Sequence, residues 1–513
     1  MPVLRLFLLG ALTAFAFQSC NRMPNNVEVA LTFSGNKRSE LEKVINHYDK
    51  TDNKLKLKAA YYLIANLPFQ YHYVGPAVDE YRKCFGVMDS LIHVNRSIDY
   101  DKVFDSIEQQ INPTVRRQMV RKADIEVIDA DFLINNIEEA FKVWEFPWAR
   151  LLTFDEFCKY ILPYKLKNET PELWRSAFWE KYKWIADSVK GNDPEKVLLL
   201  INHDLAKWFY VSRTDVPFDL SASDLLKIRS GKCPQEVQLA TYAMRAMGLP
   251  VAMDGLPYWG NRNKGHDWNA YVTKKGSVPF LGSEVDPGGY KLEFPWPASI
   301  ASRRPKVWRW SYDRQAHPLS DIVQQEDIPD FFRNERMADV TTEYLPTTSV
   351  RVPIGNNEDD KKVAFLCVFN NLDWKPVQWG NVNNNSAVFR NIGRGIVYMP
   401  SLYDEGEMAS TGNPFLLTGK GEMHVFDPRY DKLDTLIIDR KYPSGADNEI
   451  VVGLKYRLLY WDNGWKNAGE KIADSKTLVF YPLPRNTLFW LRCLDEGAQE
   501  RIFDIKNHAP QWW

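Results

Sequence analysis

A chain of 513 residues exceeds what one compact core accommodates and implies roughly two to four domains. Its 65 Lys+Arg and 66 Asp+Glu leave a formal charge of -1 at pH 7, with no basic stripe to follow a phosphate backbone, so nucleic acid is not an expected partner. With 45% hydrophobic residues it is a folding chain, and no apolar run after the first segment reaches the roughly 20 residues a spanning helix needs.

The start, "MPVLRLFLLGALTAFAFQSCNRMPNN", has an early Arg, an apolar run from Leu6 to Phe17 and small residues before Cys20, the pattern of a secretory leader. "FQSC" resembles the bacterial lipoprotein signal, which implies a lipoprotein signal peptide within residues 1–20, cleaved ahead of Cys20 so that Cys20 becomes the lipidated first residue. The expectation is an exported protein held to the cell envelope, at the outer membrane or cell surface, with the membrane touched only through that anchor. Cys84, Cys158, Cys233, Cys367 and Cys493 then remain, an odd number without paired spacing, which fits neither a disulfide framework nor a zinc site.

Residues 21–194 are expected to form a helical domain. "KLKLKAAYYLIANLPF" (54–69) and "DADFLINNIEEAFKVW" (129–144) carry apolar residues at helical spacing, and "TFDE" (153–156) has the form of a capping box. "DPEKVLLLINHDLAKWFYVSR" (193–213) reads as one long helix with Asp193 as cap and Pro194 in its first turn. Beyond about residue 250 the period changes to two. "KKVAFLCVF" (361–369), "GIVYMP" (395–400), "TLIIDRKYP" (435–443), "LKYRLLYW" (454–461), "KTLVFYPLP" (476–484) and "TLFWLRCL" (487–494) read as strands, giving a β-sandwich over 331–436 and a second sandwich-like module over 437–513.

The segment most suited to chemistry lies between these regions. In "SGKCPQEVQLATYAMRAMGLP" (230–250), Pro234 suits the first helical position and places Cys233 at the N-cap, while Gly248 and Pro250 end the helix. A thiol there meets the positive end of the helix dipole and free N–H groups, which favour thiolate and can hold an oxyanion. In "NKGHDWNAYV" (263–272), His266 opens an alternating strand, and "VPFLGSEVDPGG" (278–289) supplies Glu284 and Asp286 on the next one. Nucleophile, base and carboxylate orienter on a helix and two strands is the arrangement of a papain-like site.

"RSGKC" with its Ala-rich helix and "GLP", then "HDWNAYV" and "VDP", resembles the transglutaminase-like superfamily, with 33 residues from Cys233 to His266 and 20 from there to Asp286. More loosely the chain is similar to exported Bacteroidetes proteins with such a domain. The resemblance implies an α+β, papain-like core over 195–330, with Cys233 as nucleophile, His266 as general base and acid, and Asp286 as its orienter. Glu284 remains an alternative orienter, and Trp208 a candidate oxyanion-side aromatic.

The implied activity is cleavage of a peptide or carboxamide bond in a protein, peptide or glycopeptide through a Cys233 thioester. Hydrolysis is preferred because water needs no acceptor site. Cross-linking to an amine and a non-catalytic surface lipoprotein are the alternatives. No cofactor or metal is expected: there is no HExxH, phosphate loop or EF-hand, and Asp427, Asp431 and Asp434 in "DPRYDKLD" suit turns. "YWDNGWKNAGE" (460–470) could present Trp461 and Trp465 to a glycan at a sandwich tip, or use both rings to close the core.

Overall fold

The computed structural model describes residues 23–513 except 52, 95–97, 190, 214, 290–301, 356, 358–359, 444 and 496–498. The expected signal peptide and Cys20 lie outside the described residues. Among those described, no helix is long and apolar enough to cross a membrane.

The N-terminal helices form where the sequence supplies both a cap and an apolar stripe. Asn53 accepts from Lys56 N ahead of the helix Lys54–Asn66, and Asp129 from Phe132 N ahead of Ala130–Trp144. Thr153 and Glu156 form the expected reciprocal capping box. These helices gather Leu41, Leu63, Leu133, Ile137 and Phe157 into one core. A second core combines Phe85 and Phe178 of neighbouring helices with Leu198 and Ile201, then with Leu239, Ala243 and Met247 at the thiol helix, and finally with Val251 and Phe280. Helical region and thiol-bearing segment therefore share an interior across residue 194.

The helix after Asp193 is shorter than its sequence pattern, Pro194–Leu205. Its continuation is drawn into a small parallel bridge, where Tyr210 N donates to Arg229 O at 2.8 Å and Ser212 N to Gly231 O at 2.8 Å. That bridge fixes the chain two residues before Cys233.

The thiol helix, Cys233–Arg245, packs on a five-stranded antiparallel sheet ordered Gly276–Phe280, His266–Thr273, Val251–Leu256, Trp308–Trp310, Met337–Asp339. Gly248 turns the chain between helix and sheet at φ +74°, and a Cβ there would lie 2.7 Å from Val143 O, so backbone angle and space both require glycine.

Residues 347–425 form one curled eight-stranded sheet. Its strand Val363–Asn370 is buried on both faces, Ala364, Leu366 and Val368 on one and Phe365, Cys367 and Phe369 on the other. In the last module a two-stranded sheet, Arg429–Ile438 with Leu478–Arg485, and a five-stranded one enclose Leu436, Tyr456, Phe480, Leu491 and Phe503. Trp308, Phe369, Trp374, Trp461, Trp490 and Trp513 form a common aromatic junction. There the buried Arg501 guanidinium donates to the carbonyls of Gly260 and Trp513, each at 2.9 Å, and to that of Phe369.

Candidate active site

Cys233 is the first helical residue, one place inside the expected cap; Lys232 takes the cap position. The register follows from the turn, because Lys232 N donates to Gln235 Oε1 at 3.0 Å. The glycine of "SGKC" is required there: a Cβ at Gly231 would meet Gln235 Cβ at 2.4 Å. Gly265, ahead of His266, passes so close to the Leu256 and Pro257 carbonyls that a Cβ would lie 2.4 Å from each. Asn269 then joins strand to helix, donating to Val237 O and Thr241 Oγ1 at 2.9 Å and accepting from Gly282 N at 3.0 Å.

Of the five described cysteines, Cys233 alone is not buried. One turn along its helix, Val237 belongs to a cluster with Leu256, Trp259 and Trp268. Leu256 is the cross-strand partner of His266, and the rings of Trp259 and Trp268 lie 6.1 Å from the imidazole, at 20° and 33° to its plane. Val237, one turn from the thiol, thus packs in the same cluster as the residues around the imidazole. By strand alternation His266 shares the parity of Trp268, whereas Asp267 shares that of Asn269, the residue bonded to the thiol helix.

The electrostatics reverse the expected thiolate. Burial first, then Glu236, Asp267 and Glu284, push the thiol up to about 11, with only its own backbone N–H pulling downward. Desolvation and three nearby carboxylates outweigh the pull of that N–H. Burial, with Arg262 second, lowers His266 to about 4. At neutral pH both groups are uncharged.

Asp286 is placed elsewhere than the resemblance implied. Its carboxylate accepts from Asn202 Nδ2 and pairs with His203 Nε2, both at 2.9 Å, on the helix Pro194–Leu205. Those bonds outweigh burial and lower its pKa. Among the described residues it makes no hydrogen bond to His266, because the chain bends after Phe280, where Leu281 bridges Val285, and turns the acid toward the helices. Glu284, exposed on that bend, is near enough to Cys233 to raise its pKa.

Glu236 was not singled out by the sequence, where it passes for an ordinary first-turn acid. It is 1% exposed, accepts from Ser283 Oγ at 2.6 Å, and leaves Oε2 buried without a partner. Burial raises it to about 8. Asn202, His203 and Ser283 were equally unmarked; only their folded positions connect them to Asp286 and Glu236.

Trp208 donates to Asp204 at 3.1 Å, with Lys181 Nζ 4.9 Å above its ring, so its described bonds belong to the helical region. Asp434 pairs with Arg485 at 3.1 Å and His508 at 2.9 Å. No group of three metal-ligating side chains is assembled among the described residues. Trp461 and Trp465 lie 5.3 Å apart and edge-on, Trp465 also against Trp490 and Phe369, which is the core-closing alternative for that turn.

No family model and no curated protein matches the chain. A solved structure of a presumed cysteine protease from Cytophaga hutchinsonii is similar over 22% of this chain and 37% of its own, at 16% identity and a TM-score of 0.18. A likeness that small carries no argument about fold or function.

Proposed function

We propose that the chain is a cysteine-dependent hydrolase of peptide or carboxamide bonds on a transglutaminase-like core, with Cys233 as nucleophile and His266 as base and acid. The observation that carries this reading is the singular placement of Cys233: the one described cysteine that is not buried, at the first residue of a helix whose next turn packs among the neighbours of His266. In the reaction, His266 takes the thiol proton as sulfur attacks the carbonyl, and the tetrahedral oxyanion forms beside the Cys233 N–H. Collapse gives a thioester while the imidazolium returns its proton to the leaving amine. Water, deprotonated by His266, then releases the acid and restores the thiol.

With thiol and imidazole both neutral the resting site is weakly nucleophilic, so in this reading proton transfer belongs to the attack itself rather than to a standing ion pair. Export and a lipid anchor at Cys20 are part of the same proposal and would place the substrate among envelope proteins, peptides or glycopeptides. The test is a screen of peptide and glycopeptide amides with amine release as readout. Turnover by the wild type and none by Cys233→Ala is the expected result; equal turnover by both would end the proposal.

A further inference from the structure

A groove of about 690 Å³ opens between the outer strands of the core sheet and the curled sheet, and neither Cys233 nor His266 lines it. Trp308 and Phe331 form one wall, and the hairpin strands Asp373–Asn383 and Ser386–Gly393 contribute Gln378, Trp379, Asn381 and Arg390 to the other.

Two observations suggest what it holds. The lining is rich in side-chain amides, among them Gln315, Asn334, Gln378 and Asn381, which donate and accept at once as hydroxyl groups do, and they stand beside the half-exposed ring of Trp379. The acids of the lining are already engaged, Asp339 by Lys306 and Glu335 by Arg314, whereas Arg351 and Arg390 have no acidic partner among the described residues. The groove is therefore amide-rich, aromatic and cationic.

We propose that it binds a saccharide chain carrying carboxylates: Trp379 stacks on a sugar face, the Gln378 and Asn381 amides meet hydroxyls, and Arg390 pairs with a uronate. Flat rings interleaved with amides suit a polyhydroxylated ring, and Arg351 and Arg390, without acidic partners among the described residues, suit a carboxylate carried on it.

Isothermal titration of the full chain with an oligogalacturonate, and with a neutral cello-oligosaccharide of equal length, tests this. Binding of the uronate oligomer is expected, weakened about tenfold or more by Trp379→Ala, the usual effect of removing an aromatic anchor, and reduced by Arg390→Ala. Arg390 is exposed, so its substitution remains informative if Trp379→Ala lowers the melting temperature. Absence of uronate binding, preference for the neutral oligomer or for a peptide pool, or unchanged affinity in Arg390→Ala would each overturn the proposal.

Discussion

Two carboxylates, Asp124 and Glu236, are buried almost equally, at 0% and 1% exposure, and end in opposite states. Asp124 lies between His72 Nδ1 at 2.8 Å, Tyr164 OH at 2.7 Å and Lys165 Nζ at 2.8 Å. Burial pushes its carboxyl up, but Lys165 and these donors outweigh it and hold the acid ionised. Glu236 has Ser283 alone, and burial leaves it protonated up to about pH 8. Desolvation is comparable; the number of donors decides the charge. In the helical region that arithmetic closes and gives a structural node, whereas beside Cys233 it is left open.

The largest effect expected from this contrast is on turnover. Cys233→Ala should reduce hydrolysis by at least about 10³-fold with the melting temperature unchanged. A large loss of stability would instead make the thiol end as structural as the Asp124 cluster.

Asp124→Ala should act the other way, costing about 3–5 kcal/mol by leaving Lys165 buried and uncompensated, read as a shift in denaturation midpoint. A cost near zero would show that the pair adds nothing and erase the contrast from that side.

Glu236→Gln gives a pH-dependent signature. The folded pKa of Glu236, about 8, lies above its ordinary 4.5, so between these values the folded state holds a proton that the unfolded state has lost, and wild-type stability falls as pH rises. His266, lowered from 6.5 to about 4, works oppositely only below 6.5. From pH 6.5 to 8 the stability of Glu236→Gln should therefore improve relative to wild type, on the order of 1.4 kcal/mol per unit, measured by denaturation at stepped pH. The same change should move Cys233 alkylation to lower pH, since Glu236 raises the thiol. Parallel stability curves would mean that Glu236 is already ionised.

The smallest effect is expected at Asp286. Bonded to Asn202 and His203, it should tolerate Asn with a change in turnover under about tenfold, where loss of a true orienter costs about 10⁴-fold. A loss of that larger size would restore the role that the resemblance implied.

How far the sequence reached follows the range of each interaction. The thiol helix was legible because its signals are local: Pro234, Gly248 and Pro250 set its ends, and the glycine of "SGKC" is required by Gln235 four residues away. The error of one residue at Cys233 came from the cap, filled by Lys232 rather than by a residue whose side chain caps. The chemistry of the thiol was not legible. Its three opposing carboxylates come from a helix, a strand and a bend, and the dipole argument counted only the helix. The partners of Asp286 were not legible either: "VDP" fixes its place in the chain, but the bend after Phe280 fixes what it bonds. In the β region, "AFLCVF" announces a strand buried on both faces, while closure into a curled sheet depends on pairings spread over some eighty residues.

The central claim, that Cys233 attacks with His266 as its base, is tested most directly by intact-mass and peptide mapping after exposure to a peptidyl acyloxymethyl ketone, an electrophile captured by catalytic thiols. The expected result is one adduct, on Cys233, that disappears in His266→Ala while iodoacetamide at high pH still labels the same thiol. An adduct on another cysteine, or capture at Cys233 that His266→Ala leaves unchanged, would contradict it.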